Sequence, residues 1–575
     1  MPVLQFKGKT AVENYHHTVP HHRLEFDAKL SLLGKGEKPS LDGNLIIEGD
    51  NLLALKALLP THAGRVKCVY IDPPYNTGEE GWVYNDNLTQ PQFKEWIGRT
   101  VGKEAEDACR HDKWCCMMYP RLTLLRELLS ENGILFASID DNEHGLLRLM
   151  LDEVFRTEMP LATFVWKRRS PTGMRADPVS VDHEYVLAYA KSPKHVELTG
   201  TVMTEEDYPY QDEVGRYAST DLTIGMSRED RPNQFYTLEN PRTKKKYPGN
   251  PDRVWRFEPK EMKRVIAEDL IIWPEDHPGR RMTRPRFKTR FDPFDPKIKP
   301  ASSWIEGHVR SESDDIDRDE RTLHTGLNQE GGRILRRMFG KKVFNYPKPP
   351  SLIRSLVEIA TGNGDIVLDS FAGSGTTGES VLRANARDGK QRHFILVQQP
   401  YDNKAHETNG FNVCRQVTAP RVKAVIQGFE YGKETKRKRT DGVGGNFTYF
   451  RVGEPLFSEY RDFGKKLPDW ETLARYIFYT ESGRECDSRK LNEKSGFIGS
   501  TEAAGGTSYY LHYSPDNEEN ERVSLHTLAR LVKKDKNKNL VIYAERVWLH
   551  GDELARFEAE HGRKIRPMVV PFGLR

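Results

Sequence analysis

This 575-residue chain holds no run of about 18 apolar residues, so no membrane-spanning helix is expected. Cysteine is scarce. The six residues, Cys68, Cys109, Cys115, Cys116, Cys414 and Cys486, show no metal-ligand spacing, and the adjacent Cys115 and Cys116 are poorly placed to bond each other. Structural zinc and a disulfide scaffold are therefore not expected, and a reducing cytoplasm is. An excess of charge is missing too: 88 basic residues face 84 acidic ones, a formal net charge of +4, so only local clustering can argue for a polyanionic partner. The start, Met1-Pro2-Val3-Leu4-Gln5-Phe6-Lys7-Gly8, lacks the charged-then-apolar pattern of a secretory signal. No internal repeat is found. What remains is a chain with 37% apolar residues and mean hydropathy −0.70. Its surface should be polar, and its length asks for two or three domains.

Two stretches stand out. The first is Val69-Tyr70-Ile71-Asp72-Pro73-Pro74-Tyr75-Asn76. Proline fixes its own φ and donates nothing to a sheet, so an apolar strand must end at Asp72 in a stiff turn. Open α/β sheets bind ligands at such carboxyl ends. The Asp72 carboxylate and the Pro73 carbonyl form adjacent acceptors suited to an NH2 group, and the Tyr75 ring is a face for a planar partner. Alone, the stretch reads equally as an ordinary Asp-Pro turn.

The second is Asp365-Ile366-Val367-Leu368-Asp369-Ser370-Phe371-Ala372-Gly373-Ser374-Gly375-Thr376-Thr377-Gly378: strand, glycine-rich turn, helix start. Gly373, Gly375 and Gly378 match the dinucleotide spacing, which is weak evidence by itself. No Lys-Ser or Lys-Thr follows, which disfavours a phosphate P-loop. Asp369, an acid at the strand end, suits an ammonium or hydroxyl better than a pyrophosphate, so the ligand should carry positive charge.

Together the two stretches resemble the amino-methyltransferases of DNA, whose catalytic motif is Asp-Pro-Pro-Tyr and whose cofactor loop is Phe-x-Gly-x-Gly. The order, catalytic motif first, resembles the β-class and is closest to the modification subunits of type III restriction systems. Gly49-Asp50-Asn51-Leu52, Ser138-Ile139-Asp140-Asp141-Asn142-Glu143, His183-Glu184-Tyr185 and Asn345-Tyr346-Pro347-Lys348-Pro349-Pro350-Ser351 extend the match over most of residues 1 to 430. The resemblance implies a doubly wound, Rossmann-like α/β fold that binds S-adenosylmethionine. It also implies duplex DNA as substrate, a homodimer, and a possible helicase-nuclease restriction subunit as partner. No metal is implied.

Read in order, residues 1–43 form an N-terminal arm, whose His16, His17, His21 and His22 read as packed residues rather than metal ligands. Residues 44–192 are the catalytic half. Within it, Trp82 and Tyr84 read equally as base-stacking or as core-covering aromatics, and Pro120 to Asn132 reads as a helix capped by Gly133. Residues 193–340 are rich in Pro, Arg, Lys and aromatics without clean periodicity, the mark of an inserted target-recognition domain. Lys244, Lys245, Arg280, Arg281, Arg284, Arg286, Lys288 and Arg290, interleaved with Trp255, Phe257, Trp273, Phe287 and Phe291, are candidate DNA contacts, favoured over a solvated face. Residues 341–430 form the cofactor half, 431–445 a flexible basic linker or a DNA-backbone contact, and 446–575 a C-terminal α+β domain without a catalytic constellation.

The resemblance assigns catalysis to Asp72, Pro73, Pro74 and Tyr75, the base being flipped out so that its amine meets the methyl donor in line. Asp72 and Pro73 would take the two amine hydrogens and Tyr75 would stack on the base. Asp50 is expected near the cofactor's adenine. Phe371, Ala372, Gly373 and Gly375 should line its methionine portion, with Asp369 at the ammonium and Lys348 and Ser351 at the carboxylate. Asp72, Asn76, Thr376 and Gln398 complete the expected cofactor set, Gln398 standing where a ribose-binding acid is usual. An initial Asp points to adenine N6. Cytosine N4, RNA or a protein glutamine as substrate, or a non-catalytic DNA-specificity subunit, are the alternatives.

Overall fold

The computed structural model describes residues 3–77, 110–157, 160–170, 179–276, 282–308 and 323–570, apart from scattered positions between 197 and 207 and the stretches 295–296, 433–436, 458–466, 502–505 and 515–521. The chain forms two compact units, one of residues 1–199 with 302–575 and the other of residues 200–301.

The larger unit is built on an eleven-stranded sheet. In chain order its strands are β1 (His22–Phe26), β2 (Leu45–Glu48), β3 (Val66–Ile71), β4 (Leu129–Ile139), β5 (Ala162–Lys167), β6 (His183–Ala190), β7 (Trp304–His308), β8 (Leu323–Gly326), β9 (Ile366–Asp369), β10 (His393–Gln398) and β11 (Thr448–Pro455). Their spatial order is β1-β11-β2-β10-β9-β3-β4-β6-β5-β7-β8. From β11 to β4 every pairing is parallel, while β6 runs antiparallel to both β4 and β5. Such strands are covered on both faces, which is why β2, β3 and β9 read as near-continuous apolar runs. The doubly wound arrangement matters for function at one place. β3 leads outward to β4 and β9 leads outward to β10 in the opposite direction, so the neighbours β3 and β9 flank the topological switch point, where such sheets bind ligands.

Local sequence explains the edges of these elements. Asp50 caps the helix Asn51–His62, its carboxylate accepting from the Leu52 and Leu53 N–H groups at 2.8 and 3.3 Å. β3 stops where Pro73 begins. The main core gathers Leu52, Leu55, Leu58 and Leu59 with Leu122, Leu125, Leu128, Leu135 and Leu151, all buried between sheet and helices.

Several expectations are corrected. The helix before β4 spans Arg110–Leu128, with Pro120 inside it, and β4 begins at Leu129. Gly133 therefore lies within the strand and does not cap the helix. A Cβ there would stand 3.0 Å from the Val66 carbonyl, so close approach of β3 is what the glycine serves. The insert is shorter than composition indicated: β7 and β8 return to the large sheet, and the separate unit ends at residue 301. The basic linker contributes a hairpin, Gly428–Tyr431 with Lys438–Asp441. β11 also belongs to the large sheet, paired with β2 and with arm strand β1. Beyond it lies a four-stranded sheet of Phe497–Thr501, Thr507–His512, Asn539–Ala544 and Lys564–Val569. The arm is packed, as Lys56 donates to the His16 carbonyl at 2.8 Å. Burial holds the His16 and His21 imidazoles down at about 4 and about 3.

The 200–301 unit carries a four-stranded antiparallel sheet (Ile271–Ile272, Arg286–Arg290, Arg216–Asp221, Tyr210–Gln211) and the helix Pro259–Ala267. Leu222, Trp255, Met262, Val265, Ile271 and Trp273 form its core. Trp255 and Trp273 thus hold this unit together and are not exposed. No described helix is long and apolar enough to cross a membrane, and no described group of His, Cys, Asp and Glu could hold a metal ion.

Candidate active site

A cavity of about 1340 Å³ opens at the carboxyl ends of the strands beside the switch point. It exceeds the roughly 300–1,000 Å³ of an ordinary small-molecule pocket and so has room for two ligands side by side. Asp72, Pro73, Pro74 and Tyr75 line it from the end of β3, Asp50 from β2, and Phe371 and Gly373 from the loop after β9. Five carboxylates face it, those of Asp50, Asp72, Asp140, Glu184 and Asp402, together with the Tyr75, Phe344, Phe371 and Phe411 rings. Six cationic side chains, those of Arg121, Arg168, Arg169, Lys341, Lys342 and Lys348, face it as well, so the lining suits a ligand carrying charge of both signs.

The turn after β3 is held at each step. The Pro74 carbonyl accepts from the Trp114 indole at 2.7 Å, while among the described residues no hydrogen bond reaches the Pro73 carbonyl. Asn76 adopts a left-handed backbone, φ 58°, and its buried amide donates to Glu143. Glu143 also takes the His111 Nδ1 at 2.7 Å. Asn76 therefore anchors the turn from behind and does not line the cavity.

The Lys348 ammonium lies at the centre of the site. It donates to the Tyr75 hydroxyl at 2.5 Å and to Glu184 at 2.6 Å, stands 3.5 Å from Asp72, and sits 4.7 Å from the centroid of the Tyr75 ring. Tyr75 also donates to Glu184 at 3.1 Å, and Arg168 pairs with the other Glu184 oxygen at 3.3 Å. Burial, with Glu184 adding to it, pushes the Asp72 carboxyl up to about 6 against the opposing pull of Lys348. For Lys348, burial works against the charge, but Asp72 and Glu184 outweigh it and raise the ammonium above the usual lysine range. The sequence placed Lys348 at the cofactor's carboxylate; the structure places it between the Asp72 and Glu184 carboxylates.

The glycine loop is shaped from below. Gly375 has φ +80°, and a Cβ there would meet the Thr418 carbonyl at 3.1 Å. Buried Arg421 pairs with buried Glu379 at 2.8 Å and donates to the Ser374 and Thr376 hydroxyls at 2.6 Å each. The Thr376 side chain thus serves the loop. The Gln398 amide oxygen accepts from the Gly373 N–H at 2.6 Å and its NH2 group donates to Asp402 at 2.7 Å. Gln398 is thereby committed to the loop, and Asp402 supplies the acid that the strand end lacks, four residues later.

Four further candidates do not reach the cavity. Ser351 accepts from the Gly326 N–H at 2.7 Å and donates to Glu330, so its hydroxyl is engaged inside the unit. Asp369 is buried against the Phe371 N–H at 2.9 Å and the Thr377 hydroxyl, and burial pushes its carboxyl up to about 7. Ala372 and Gly375 support the loop without lining the cavity.

The basic candidates of the insert are mostly neutralised within their own unit. Lys288, its side chain 9% exposed, pairs with Asp212 and Asp269 at 3.0 and 2.6 Å. Arg290 pairs with Asp212, and the Arg290 and Lys288 donors hold the Asp212 carboxyl well below the usual range. Arg286 meets Asp221 at 2.6 Å, Lys245 meets Glu275 at 2.8 Å, and Lys244 lies 3.9 Å from Glu239. Arg284 is exposed. Arg280, Arg281, Trp82 and Tyr84 lie outside the described residues. Sequence reasoning missed Arg168, Trp114 and Asp402 and gave Glu184 no role. A basic residue after a strand and an acid just past a strand end were the only signals.

A parallel sheet with an Asp-Pro-Pro-Tyr turn and a glycine loop facing one cavity at its switch point defines a group-transfer site of the methylase type. The chain belongs to the N6/N4 DNA methylase family, whose model matches residues 66–437, more than half its length. It is 29% identical over 400 residues to the Mod subunit of the type III restriction-modification enzyme StyLTI of Salmonella typhimurium, covering 66% of this chain and 57% of that one. To the EcoPI Mod subunit of Escherichia phage P1 it is 29% identical over 483 residues, 76% and 69% of the two chains. To the type II methyltransferase M.KpnI of Klebsiella pneumoniae it is 28% identical over 399 residues, 66% and 87%. The chain spans 57% and 69% of the length of these two Mod subunits.

Proposed function

We propose that this protein transfers a methyl group from S-adenosylmethionine to the N6 amine of an adenine flipped out of duplex DNA, as the modification component of a restriction-modification system. The observation that carries the proposal is the shared cavity of the Asp72-Pro73-Pro74-Tyr75 turn and the Phe371–Gly373 loop. The site's chemistry fits the cofactor, since its carboxylates and aromatic rings suit a sulfonium and an ammonium and its basic side chains suit a carboxylate. When bound, the cofactor supplies an electrophilic methyl group on a good leaving group. Asp50 and Asp402 would hold its polar ends, and Phe371 and Gly373 its thioether portion.

The protein's own task is then positioning. An exocyclic amine is a poor nucleophile because its lone pair is delocalised into the ring. The Asp72 carboxylate and the unengaged Pro73 carbonyl take its hydrogens and turn the lone pair toward the methyl donor. Asp72 is also the nearest base for the proton the amine releases. Tyr75, fixed at its hydroxyl by Lys348 and Glu184, presents its ring to the base. Asn76 and Glu143 keep the turn from yielding.

That its relatives are Mod subunits of type III restriction-modification enzymes supports a second, restriction subunit as partner. A homodimer is part of the same proposal, and light scattering should give about twice 66.2 kDa. The decisive test is modification-sensitive sequencing of DNA from a methylation-deficient host expressing the chain or Asp72→Ala. N6-methyladenine at one short motif, absent with the variant, is expected. N4-methylcytosine would reassign the base, and a motif still methylated by the variant would refute the role of Asp72.

A further inference from the structure

With most of the insert's candidate DNA-contact residues paired, a second cluster of positive charge stands out in the larger unit. The helix Gln329–Phe339 buries Gly331 and Leu335 and exposes Arg333, Arg336 and Arg337. These stand at i, i+3 and i+4, one face of the helix. Gly340 ends the helix with φ +71°, and exposed Lys341 and Lys342 follow. Five cations thus fall within ten residues, 333–342, a stretch without a single acid. Among the described residues none of the five has an ion pair; Arg337 lies over the Tyr431 ring at 5.3 Å. The nearest acid in sequence, Glu330, is tied to Ser351.

The ridge runs into the active site. Lys341, Lys342, Phe344, Asn345 and Tyr346 line the cavity. Tyr346 holds a left-handed backbone, φ 51°, with its ring 93% exposed. An aromatic residue in that conformation costs free energy and here gains no packing in return, a combination found where a surface meets a ligand. Five like charges side by side repel one another, and a polyanion laid along them relieves that.

Resting on the DNA reading above, we infer that Arg333, Arg336, Arg337, Lys341 and Lys342 grip the phosphate backbone of duplex DNA beside the cavity mouth, independently of base sequence. The target-recognition insert is then not the sole source of phosphate contacts. Backbone contacts fix register and orientation on the duplex, which is what delivery of one base to Tyr75 requires.

The test uses the full-length protein and fluorescence anisotropy with duplex DNA from low to high salt. Arg336→Glu/Arg337→Glu and Lys341→Glu/Lys342→Glu are compared with wild type and with a charge-matched control far along the chain, Arg489→Glu/Lys494→Glu. Each ridge variant should weaken DNA binding by about tenfold or more on cognate and unrelated duplexes alike. The slope of log affinity against log salt should flatten by about 2, one for each phosphate that the variant no longer neutralises. S-adenosylmethionine binding by calorimetry should be unchanged in Arg336→Glu/Arg337→Glu, whose residues do not line the cavity, which excludes misfolding as the cause. Tight wild-type binding with unaltered ridge variants, or an equal loss in the control, overturns the inference alone. A wild-type protein that binds RNA and not duplex DNA overturns the DNA reading on which it rests.

Discussion

Replacing Lys348 by Met separates two roles that the sequence could not distinguish. Lys348 stands 3.5 Å from Asp72 and 2.6 Å from Glu184. At an effective dielectric of about 20, a unit charge at that distance from Asp72 is worth roughly 5 kcal/mol, or about 3.5 pKa units. Sharing with Glu184 and solvent at the 25% exposed Asp72 side chain reduce the effect. A rise of about 2 units is expected, from about 6 toward about 8. Single-turnover methyl transfer with labelled cofactor, followed between pH 5.5 and 9.5, reads this directly. The acid limb of wild type should fall near 6 and that of Lys348→Met near 8. At pH 7 the variant should be about tenfold slower, recovering above pH 9, with cofactor affinity within about twofold of wild type. Lys348→Arg should keep most of the wild-type profile. The reasoning is refuted if the limb does not move and the cofactor dissociation constant instead rises tenfold or more. Lys348 would then hold the cofactor's carboxylate, as the family resemblance implied.

Asp369 makes stability depend on pH. Its carboxyl is pushed up to about 7 in the folded protein from 3.8. Between these values the native state keeps a proton that the unfolded chain has lost, so stability falls as pH rises from about 4 through about 7. Urea unfolding should show wild type losing about 3 kcal/mol more than Asp369→Asn between pH 5 and pH 8; equal losses would place the effect elsewhere. Arg421→Met removes one partner of a buried pair and two loop bonds, and Glu379 keeps Arg383 at 2.7 Å. A cost of about 3 kcal/mol is expected by denaturant titration, with weaker cofactor binding. A cost below about 1 kcal/mol would show that the loop stands without it. Glu143→Gln keeps the shape behind Asn76 and removes the charge. Turnover should fall with little change in cofactor affinity, and an unchanged turnover number would remove Glu143 from the support of the turn.

Local sequence dictated the chemistry-bearing turns. Pro73 and Pro74 forced β3 to end just before Asp72, and Gly373 and Gly375 forced a close backbone turn after β9, because proline and glycine restrict or free φ whatever surrounds them. Apolar runs and acids at strand ends were equally local, so the doubly wound sheet and the sides of the cavity were legible. Hydrogen bonding and charge were not, because they depend on partners far along the chain. Only the fold could bring Lys348 to Asp72, turn Gln398 toward Gly373, and engage Ser351 with Glu330. Length also misled: β7 and β8 are short, and only their pairing with β5 and with each other returned Trp304–His308 and Leu323–Gly326 to the sheet. The basic run 280–290 read as a DNA surface because Asp212, Asp221 and Asp269 lie 19 to 78 residues away from the cations they neutralise. A charge is free or engaged according to what stands within a few ångströms of it, and that is a property of the tertiary structure alone.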